Sequence, residues 1–350
     1  MSRSEAAIEI RELYKIFGKS PEQYVDAVRN GMAKAALGKT HGLILGLNNI
    51  NISIPAGKIQ VVMGLSGSGK STLIRHINRL IEPTFGSIVI DGRNILEMSE
   101  MELREFRRNR TAMVFQRFAL LPHRTVIDNV TFGLEVRGID KAKSREIGMR
   151  WIDRVGLVGF EQRYPTELSG GMQQRVGLAR ALSNDASILL MDEAYSALDP
   201  LIRTDMQTML LELQAELKKT IVFITHDLDE ALRLGDRIVI LRDGSIVQQG
   251  DSQDILLNPA DDYIARFVKD VNRGRFIRVD TVMDPVPRSE NGSLPRLQSG
   301  TTLEVAAKEV TNTSYDAAVV TDDSGQPLGR VSLRQITAAL SSAVEARSIV

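Results

Sequence analysis

Cysteine is missing from this 350-residue chain, so neither a disulfide framework nor a thiolate metal site is open to it. Net charge is missing too. Lys and Arg number 44 and Asp and Glu number 44, which leaves no global field to draw the chain toward nucleic acid or an anionic bilayer. Long apolar runs are the third absence: Asp, Arg, Asn or Lys interrupts each one short of the ~18 residues that a membrane-crossing helix needs. Met1-Ser2-Arg3-Ser4-Glu5, running on to Glu9, Arg11 and Glu12, offers no apolar core that a secretory machine could read. The expectation is a chain that is not exported and that meets a membrane only through a separate partner. What is present is ordinary: 43% hydrophobic and 25% charged residues, a globular composition. The length exceeds one average domain and predicts a large domain with a smaller appendage.

Periodicity lays out the elements. Residues 8–17 read as a strand, and Ser20-Pro21-Glu22-Gln23 then reads as an N-cap, a first-turn proline and a capping-box glutamine, predicting a helical insert over about 19–38. Ile50, Ile52 and Ile54 alternate with Asn49, Asn51 and Ser53, the pattern of an antiparallel strand buried on one face. Residues 59–63 instead read as a near-continuous apolar run with two valines, broken only by Gln60, as in a strand buried on both faces. A hairpin is expected over 83–92, a helix capped by Ser99 and Glu102, and a short strand over 112–115 that ends at Gln116. Residues 125–182 are almost wholly helical in pattern. Strands over 188–191 and 221–225, separated by the amphipathic stretch 201–217, repeat the unit of a parallel α/β sheet. Residues 237–241 and 245–249 flank the turn dipeptide Asp243-Gly244. Composition shifts toward Arg, Pro, Ser and Gly over 272–300, with Pro285, Pro287, Gly292 and Pro295, which places a domain boundary near 275. A helix, a strand, an Asp-Asp-Ser-Gly turn, a strand and a helix follow.

Three motifs carry chemistry. In Gly64-Leu65-Ser66-Gly67-Ser68-Gly69-Lys70-Ser71-Thr72, glycines allow successive N–H groups to turn around phosphate oxygens at a helix start. Lys70 would reach the β- and γ-phosphates, the Ser71 hydroxyl would bind Mg²⁺, and Thr72 would add a hydrogen bond. Ile188-Leu189-Leu190-Met191-Asp192-Glu193 sets two acids at a strand tip, with Asp192 for Mg²⁺ and Glu193 as general base for water. Alone, the acid pair reads rather as a helix N-cap; paired with the Gly-rich loop, the preference reverses. In Leu168-Ser169-Gly170-Gly171-Met172-Gln173-Gln174-Arg175, a serine and two glycines open a helix and leave its positive end uncovered, a second anion site.

This last segment resembles the signature of ABC ATPases, and with the other two it identifies the chain as similar to that superfamily. The resemblance implies a P-loop NTPase: a RecA-like parallel α/β core, an antiparallel β subdomain and a helical signature subdomain over about 117–182. It also implies that ATP lies between the phosphate loop of one copy and Ser169, Gly170, Gly171 and Gln173 of another, in a head-to-tail homodimer. Gln116 matches the Q-loop and implies metal or water contact. Asp199, in Ser196-Ala197-Leu198-Asp199, matches the D-loop that communicates across the dimer, and His226 matches the switch histidine. Phe17 is the candidate for stacking on the base, with a core aromatic as the equal alternative. Tyr195 stands where many relatives carry phenylalanine and reads as packing. His41, His76 and His123 match no motif and read as surface or packing residues. Arg104, Arg107, Arg108 and Arg110 interleave with Glu100, Glu102 and Glu105 and read as a solvated helix face. Arg273, Arg275 and Arg278 read as solubilising linker residues.

The insert, and a tail beginning Val282-Met283-Asp284-Pro285-Val286, narrow the resemblance to the ATPases of importers for glycine betaine, proline or choline. The tail resembles one CBS repeat, a small α+β module, where two are usual. The expected domains are thus 1–275 (ATPase) and 276–350 (CBS-like). Expected partners are a membrane permease docking near residues 117–129 and, through it, a substrate-binding protein, with the chain held at the cytoplasmic face of the inner membrane. No nucleic-acid partner is expected. The alternatives are a soluble ABC ATPase that remodels DNA or ribosomes and a CBS-type nucleotide-binding regulator. One cassette, no net positive charge and no heptads weigh toward transport.

Overall fold

The computed structural model describes residues 6–116, 118–285 and 294–341. Arg117, the first residue of the expected permease contact, lies outside them, as do Val286, Pro287 and Gly292 of the expected linker, and residues 1–5 and 342–350. Two compact units divide the chain, Met1–Val247 and Gln248–Val350.

In the first unit, residues 59–63 become the strand Ile59–Met63 with all five residues buried; the run is apolar except for Gln60, whose Nε2 donates to Val61 O at 3.0 Å and Arg237 O at 3.2 Å. Burial at roughly 1.5–3 kcal/mol per large aliphatic side chain makes it the sheet's natural centre. It pairs in parallel with Thr220–Thr225 on one side and Arg237–Arg242 on the other. Ile188–Asp192 and Thr111–Val114 extend the sheet on the Thr220 side, also in parallel. Ser245–Gly250 follows Arg237–Arg242 at the opposite edge. Asp243 and Gly244, at φ 52° and 86°, form the connecting turn that their sequence predicts.

The half-exposed pattern also resolves as read. Ile44–Pro55 pairs antiparallel with Ala6–Phe17, which pairs antiparallel with Phe85–Ile90. Ile50, Ile52 and Ile54 join Ile8, Ile10 and Leu13 in one apolar layer with Leu73, Ile74 and Ile77 and with Val62, Leu190 and Val222 of the parallel sheet. The helix Lys70–Ile77 is therefore gripped between the two sheets, which fixes where its N-terminus points. Ser99 and Glu102 close their capping box. The helical part comprises Val126–Val136, Lys141–Arg154 and Gly170–Ser183, started by Thr125, Asp140 and Ser169.

Several local expectations change. Ser20 does not cap its helix, since its φ is 49° and its side chain makes no cap bond, yet the insert is helical: the 3-10 turn Pro21–Tyr24 runs into the α-helix Val25–Arg29, and a second α-helix, Lys34–His41, comes after it. Apolar contact holds these two helices, with Val25, Val28 and Leu37 packing on Tyr14, Ile16, Leu43 and Leu45. Arg107 is no freely solvated face residue, because it donates to the carbonyls of Asn78 and Arg79 at 2.9 and 2.6 Å. Arg273 is buried and donates to Leu256 O at 3.0 Å.

The second unit starts well before residue 275. Its helices Ser252–Leu257 and Asp262–Phe267 are tied to the segment that follows, since Gln253 donates to Phe276 O at 2.8 Å and accepts from Arg278 N at 3.1 Å. A small sheet comes next. Arg296–Gln298 lies parallel to Ala317–Thr321, which lies antiparallel to Pro327–Ser332. Helices Leu303–Thr311 and Leu333–Ser341 complete a strand-helix-strand-strand-helix unit. Asp322 Oδ1 shapes its turn by accepting from the amides of Ser324 and Gln326, both at 2.9 Å.

Candidate active site at the end of the parallel sheet

The strand Ile59–Met63 runs straight into Gly64, and the chain must turn sharply to enter the helix at Lys70. Two glycines make this possible. A Cβ on Gly64 would sit 2.2 Å from Leu241 O, and one on Gly69, at φ 103°, would sit 2.7 Å from Gly46 O. Gly69 then immediately precedes a helix whose first amides, from Lys70 onward, have no intrahelical acceptor. Ser66 and Gly67 face solvent, whereas the Ser68 hydroxyl is buried with no hydrogen-bond partner. A buried hydroxyl without an acceptor is costly, and a phosphate oxygen seated in the loop would relieve it.

Around this loop the charged and polar groups converge. Lys70 Nζ donates to Gly64 O at 2.8 Å and Leu65 O at 3.1 Å and lies 3.5 Å from Glu193 Oε1. Ser71 Oγ donates to Asp192 Oδ1 at 2.8 Å. Gln116 Nε2 lies 3.3 Å from Glu193 Oε2, and His226 Nδ1 lies 3.3 Å from the same oxygen. The two acids sit where the register dictates: Asp192 ends its strand opposite Ile224, and Glu193 follows with its backbone in the left-handed region, φ 47°. That turn swings the Glu193 carboxylate toward Lys70, Gln116 and His226. Thr72 is half-buried, its carbonyl 2.6 Å from His76 Nδ1. His76 is fully buried, and desolvation brings its pKa down to about 4.

Phe17 stands at the end of its strand, partly exposed, with Lys15 Nζ 5.1 Å from its ring centroid. A Cβ on Gly46 would come within 2.6 Å of the Phe17 ring, and Gly46 O is the atom nearest to Gly69. The ring therefore flanks the phosphate loop. Ser169, Gly170, Gly171 and Gln173 are built differently. Ser169 Oγ caps the helix at Met172 N, and Gln173 Nε2 donates to Leu168 O at 3.1 Å. These bonds are local, and Ser169 and Gly170 are exposed. Asp199 caps the helix Pro200–Leu217, accepting from Ile202 N at 3.1 Å.

Some neighbours gave no motif in the sequence. Arg75 Nη2 lies 3.6 Å from Asp192 Oδ2; its place one helical turn after Ser71 is the signal that could have found it. Ser196 Oγ, 3.3 Å from Gln116 Nε2, donates to Glu193 O at 2.9 Å. Tyr195 is more than neutral packing: its ring tilts against Phe223 at 5.5 Å, its hydroxyl is buried without a partner, and burial beside the Glu230 carboxyl pushes the phenol up. Glu230 is itself buried, accepts from Gln207 Nε2 at 3.0 Å, and is raised by desolvation.

The oxygen donors Ser71 Oγ and Asp192 Oδ1, with the Gln116 amide nearby, suit a hard cation that keeps several waters. The loop suits a polyphosphate. A carboxylate touching an imidazole suits a base for water. Comparison with known proteins gives the family. Residues 47–196 match the family model described as ABC transporter. The chain is 54% identical over 276 residues to the Glycine betaine transport ATP-binding protein OpuAA of Bacillus subtilis (strain 168), covering 79% of this chain and 66% of that protein. It is 47% identical over 333 residues to the Glycine betaine/proline betaine transport system ATP-binding protein ProV of Escherichia coli (strain K12), covering 95% of this chain and 82% of the relative. Among solved structures, the dimeric post-hydrolysis state of an ATP-binding cassette bound to ADP and Pi aligns at TM-score 0.59 and 31% identity, over 70% of this chain and 98% of that one.

Proposed function

The chain belongs to the ATP-binding subunits of ABC transporters and is an ATPase of that kind, and from this premise we propose that it energises an importer for glycine betaine, choline or proline. The observation that carries the chemistry is the meeting of Lys70, Ser71, Gln116, Asp192, Glu193 and His226 at one end of the parallel sheet. Phosphoryl transfer to water asks a protein mainly for positioning and charge neutralisation. Lys70 and the loop amides hold the β- and γ-phosphates, Ser68 Oγ gains the acceptor that it lacks, and Phe17 stacks on the base. Ser71, Asp192 and Gln116 hold Mg²⁺, which when bound neutralises charge on the phosphate oxygens. Glu193 Oε2 orients the attacking water and takes its proton, and His226 senses the γ-phosphate from the other side. Ser169, Gly170, Gly171 and Gln173 of a second copy close the site, with Asp199 reading that closure.

Docking to a permease is supported by a groove of about 460 Å³ whose lining includes Leu80, Met113, Phe115, Leu121, Phe132 and Val136. Buried Asn129 shapes its rim, accepting from Leu121 N at 2.8 Å and donating to Leu121 O and Arg124 O, both at 3.1 Å. Among the described residues no helix is long and apolar enough to cross a membrane, so the reading needs that permease to hold the chain at the cytoplasmic face, with a substrate-binding protein on the other side. We assign residues 276–350 to a single CBS-like regulatory module, on its strand-helix-strand-strand-helix order. Reconstitution in vesicles with the permease and binding protein tests all of this. ATP-dependent uptake of betaine, choline or proline is expected, and no uptake of any of the three would overturn the cargo. A response to ionic strength that disappears on removing residues 276–350 would support the regulatory module; an unchanged response would overturn it.

A further inference from the structure

Three segments of the proposed composite site meet at the first turn of the helix Pro200–Leu217. Asp199 starts that turn as its cap. Ile202 fills the space beside Gly171, since a Cβ there would lie 2.6 Å from Ile202 Cγ2, so the Gly170–Ser183 helix and this turn are keyed together with no slack. Arg203 comes next. Its Nη2 donates to Leu198 O at 3.2 Å and its Nη1 to Asp227 Oδ2 at 3.1 Å. Asp227 directly follows His226, and its other oxygen accepts from Glu230 N at 3.1 Å, starting the helix Leu228–Leu234. Asp227 N also donates to Thr225 Oγ1 at 3.0 Å. The two side chains are only 27% and 34% exposed. A planar guanidinium can span a carbonyl and a carboxylate at once, which a lysine ammonium on a flexible stem does poorly.

We infer that Arg203 is a positioning residue that couples the loop bearing Asp199 to the segment bearing His226. When Asp199 and the Ser169–Gly171 stretch engage a second copy, the shared turn moves as one piece, and Arg203 carries that movement to Asp227 and so to the placing of His226 against Glu193. The inference rests on the two-copy composite site proposed above and adds a wire inside each copy.

The test uses the full chain with Arg203→Ala, Arg203→Lys and Asp227→Asn. Arg203→Ala is expected to lower kcat about tenfold or more and to flatten the cooperativity of ATP hydrolysis, with KM and binding of a fluorescent ATP analogue within about twofold of the parent. ATP-driven dimerisation in a Glu193→Gln background should persist. Arg203→Lys, able to satisfy one acceptor but not both, should fall between, and Asp227→Asn combined with Arg203→Ala should cost no more than Arg203→Ala alone. Unchanged kcat and cooperativity in both Arg203 variants would overturn the coupling. So would a parallel fall of Tm, nucleotide affinity and kcat, the mark of a scaffold residue. If Arg203→Ala does not fold, Arg203→Lys decides by the same criteria. If the parent has no ATPase activity, or its Glu193→Gln form does not dimerise with ATP, the composite site itself fails and the coupling with it.

Discussion

Two helices in this chain begin in glycine-rich loops, and they are furnished in opposite ways. The start of Lys70–Ile77 is crowded by its own chain, with Lys70 on the loop carbonyls, Ser71 on Asp192, and Glu193 between Lys70, Gln116 and His226. The start of Gly170–Ser183 has the same positive end but only its own cap, and its Ser169 and Gly170 face outward. Both are anion sites by backbone geometry. Only the first has carboxylates, a lysine and a hydroxyl gathered around it. Under the proposed two-copy site, the difference divides the labour: the furnished helix carries the groups for the chemistry, and the bare one offers the other copy an anion-facing surface.

The sharpest way to break this contrast is to strip the furnished side. Glu193→Gln should lower turnover by roughly 10²–10⁴-fold while ATP binding to the chain stays as it was; single-turnover hydrolysis at the parent rate would remove Glu193 as the base. The next experiment trades sides between copies. Lys70→Ala and Ser169→Arg should each be inactive alone, whereas their mixture should recover about a quarter of parental turnover, since half of randomly paired dimers keep one intact composite site. No recovery on mixing would mean that each copy works by itself.

A third comparison separates strain from access. Gly64→Ala drives a methyl into the Leu241 carbonyl at φ 150° and should cost more than about 2 kcal/mol by chemical denaturation. Gly170→Ala meets nothing closer than Phe118 Cζ at 3.6 Å, so stability should hold or rise by up to about 1 kcal/mol. Its ATPase activity should nonetheless fall, because the methyl occupies the exposed anion-facing start. Full activity in Gly170→Ala would argue that nothing approaches that surface closely.

The mildest test concerns pH. His76, at the back of the furnished helix, has its pKa lowered to about 4 from 6.5 by burial. The unfolded chain therefore takes up this proton first as pH falls, and the stability tied to a neutral His76 is full above pH 6.5 and lost between 6.5 and about 4. The loss amounts to roughly 3 kcal/mol at most, at 1.36 kcal/mol per pKa unit. Urea unfolding across that window should show the slope, and His76→Leu should flatten it.

Local signals made much of this legible. Four apolar residues among the five at 59–63 sufficed to place the central strand, and Ser99 with Glu102 the capped helix, because each depends on neighbours within a few residues. The phosphate loop, the acid pair and the glycine-opened helix were readable for the same reason. Gln116 and His226 needed the family likeness to single them out, since their common partner Glu193 is 77 and 33 residues away. Arg203 was invisible, and Ser196 appeared only as part of the Asp199 motif with no contact assigned, as their roles exist only once distant loops are brought together. Ser20 misled because a serine before a proline looks like a cap whether or not its backbone can adopt the extended geometry that a cap requires. Arg273 misled because composition around it resembles a linker, whereas Leu256 O lies within its reach. The unit boundary moved for a related reason: Gln253 bonds forward across the shift in composition.

Glu193 holds its left-handed backbone without the freedom of glycine, a conformation that costs a non-glycine residue roughly 1–2 kcal/mol. Glycine at that position would release the strain and leave no base. Mutational drift or laboratory selection acting on thermal resistance alone would thus favour losing the residue on which turnover depends. A library of this protein screened for heat tolerance should accumulate changes at position 193 unless every round also demands hydrolysis, and the frequency of such changes would measure how much robustness the fold gives up to remain an engine.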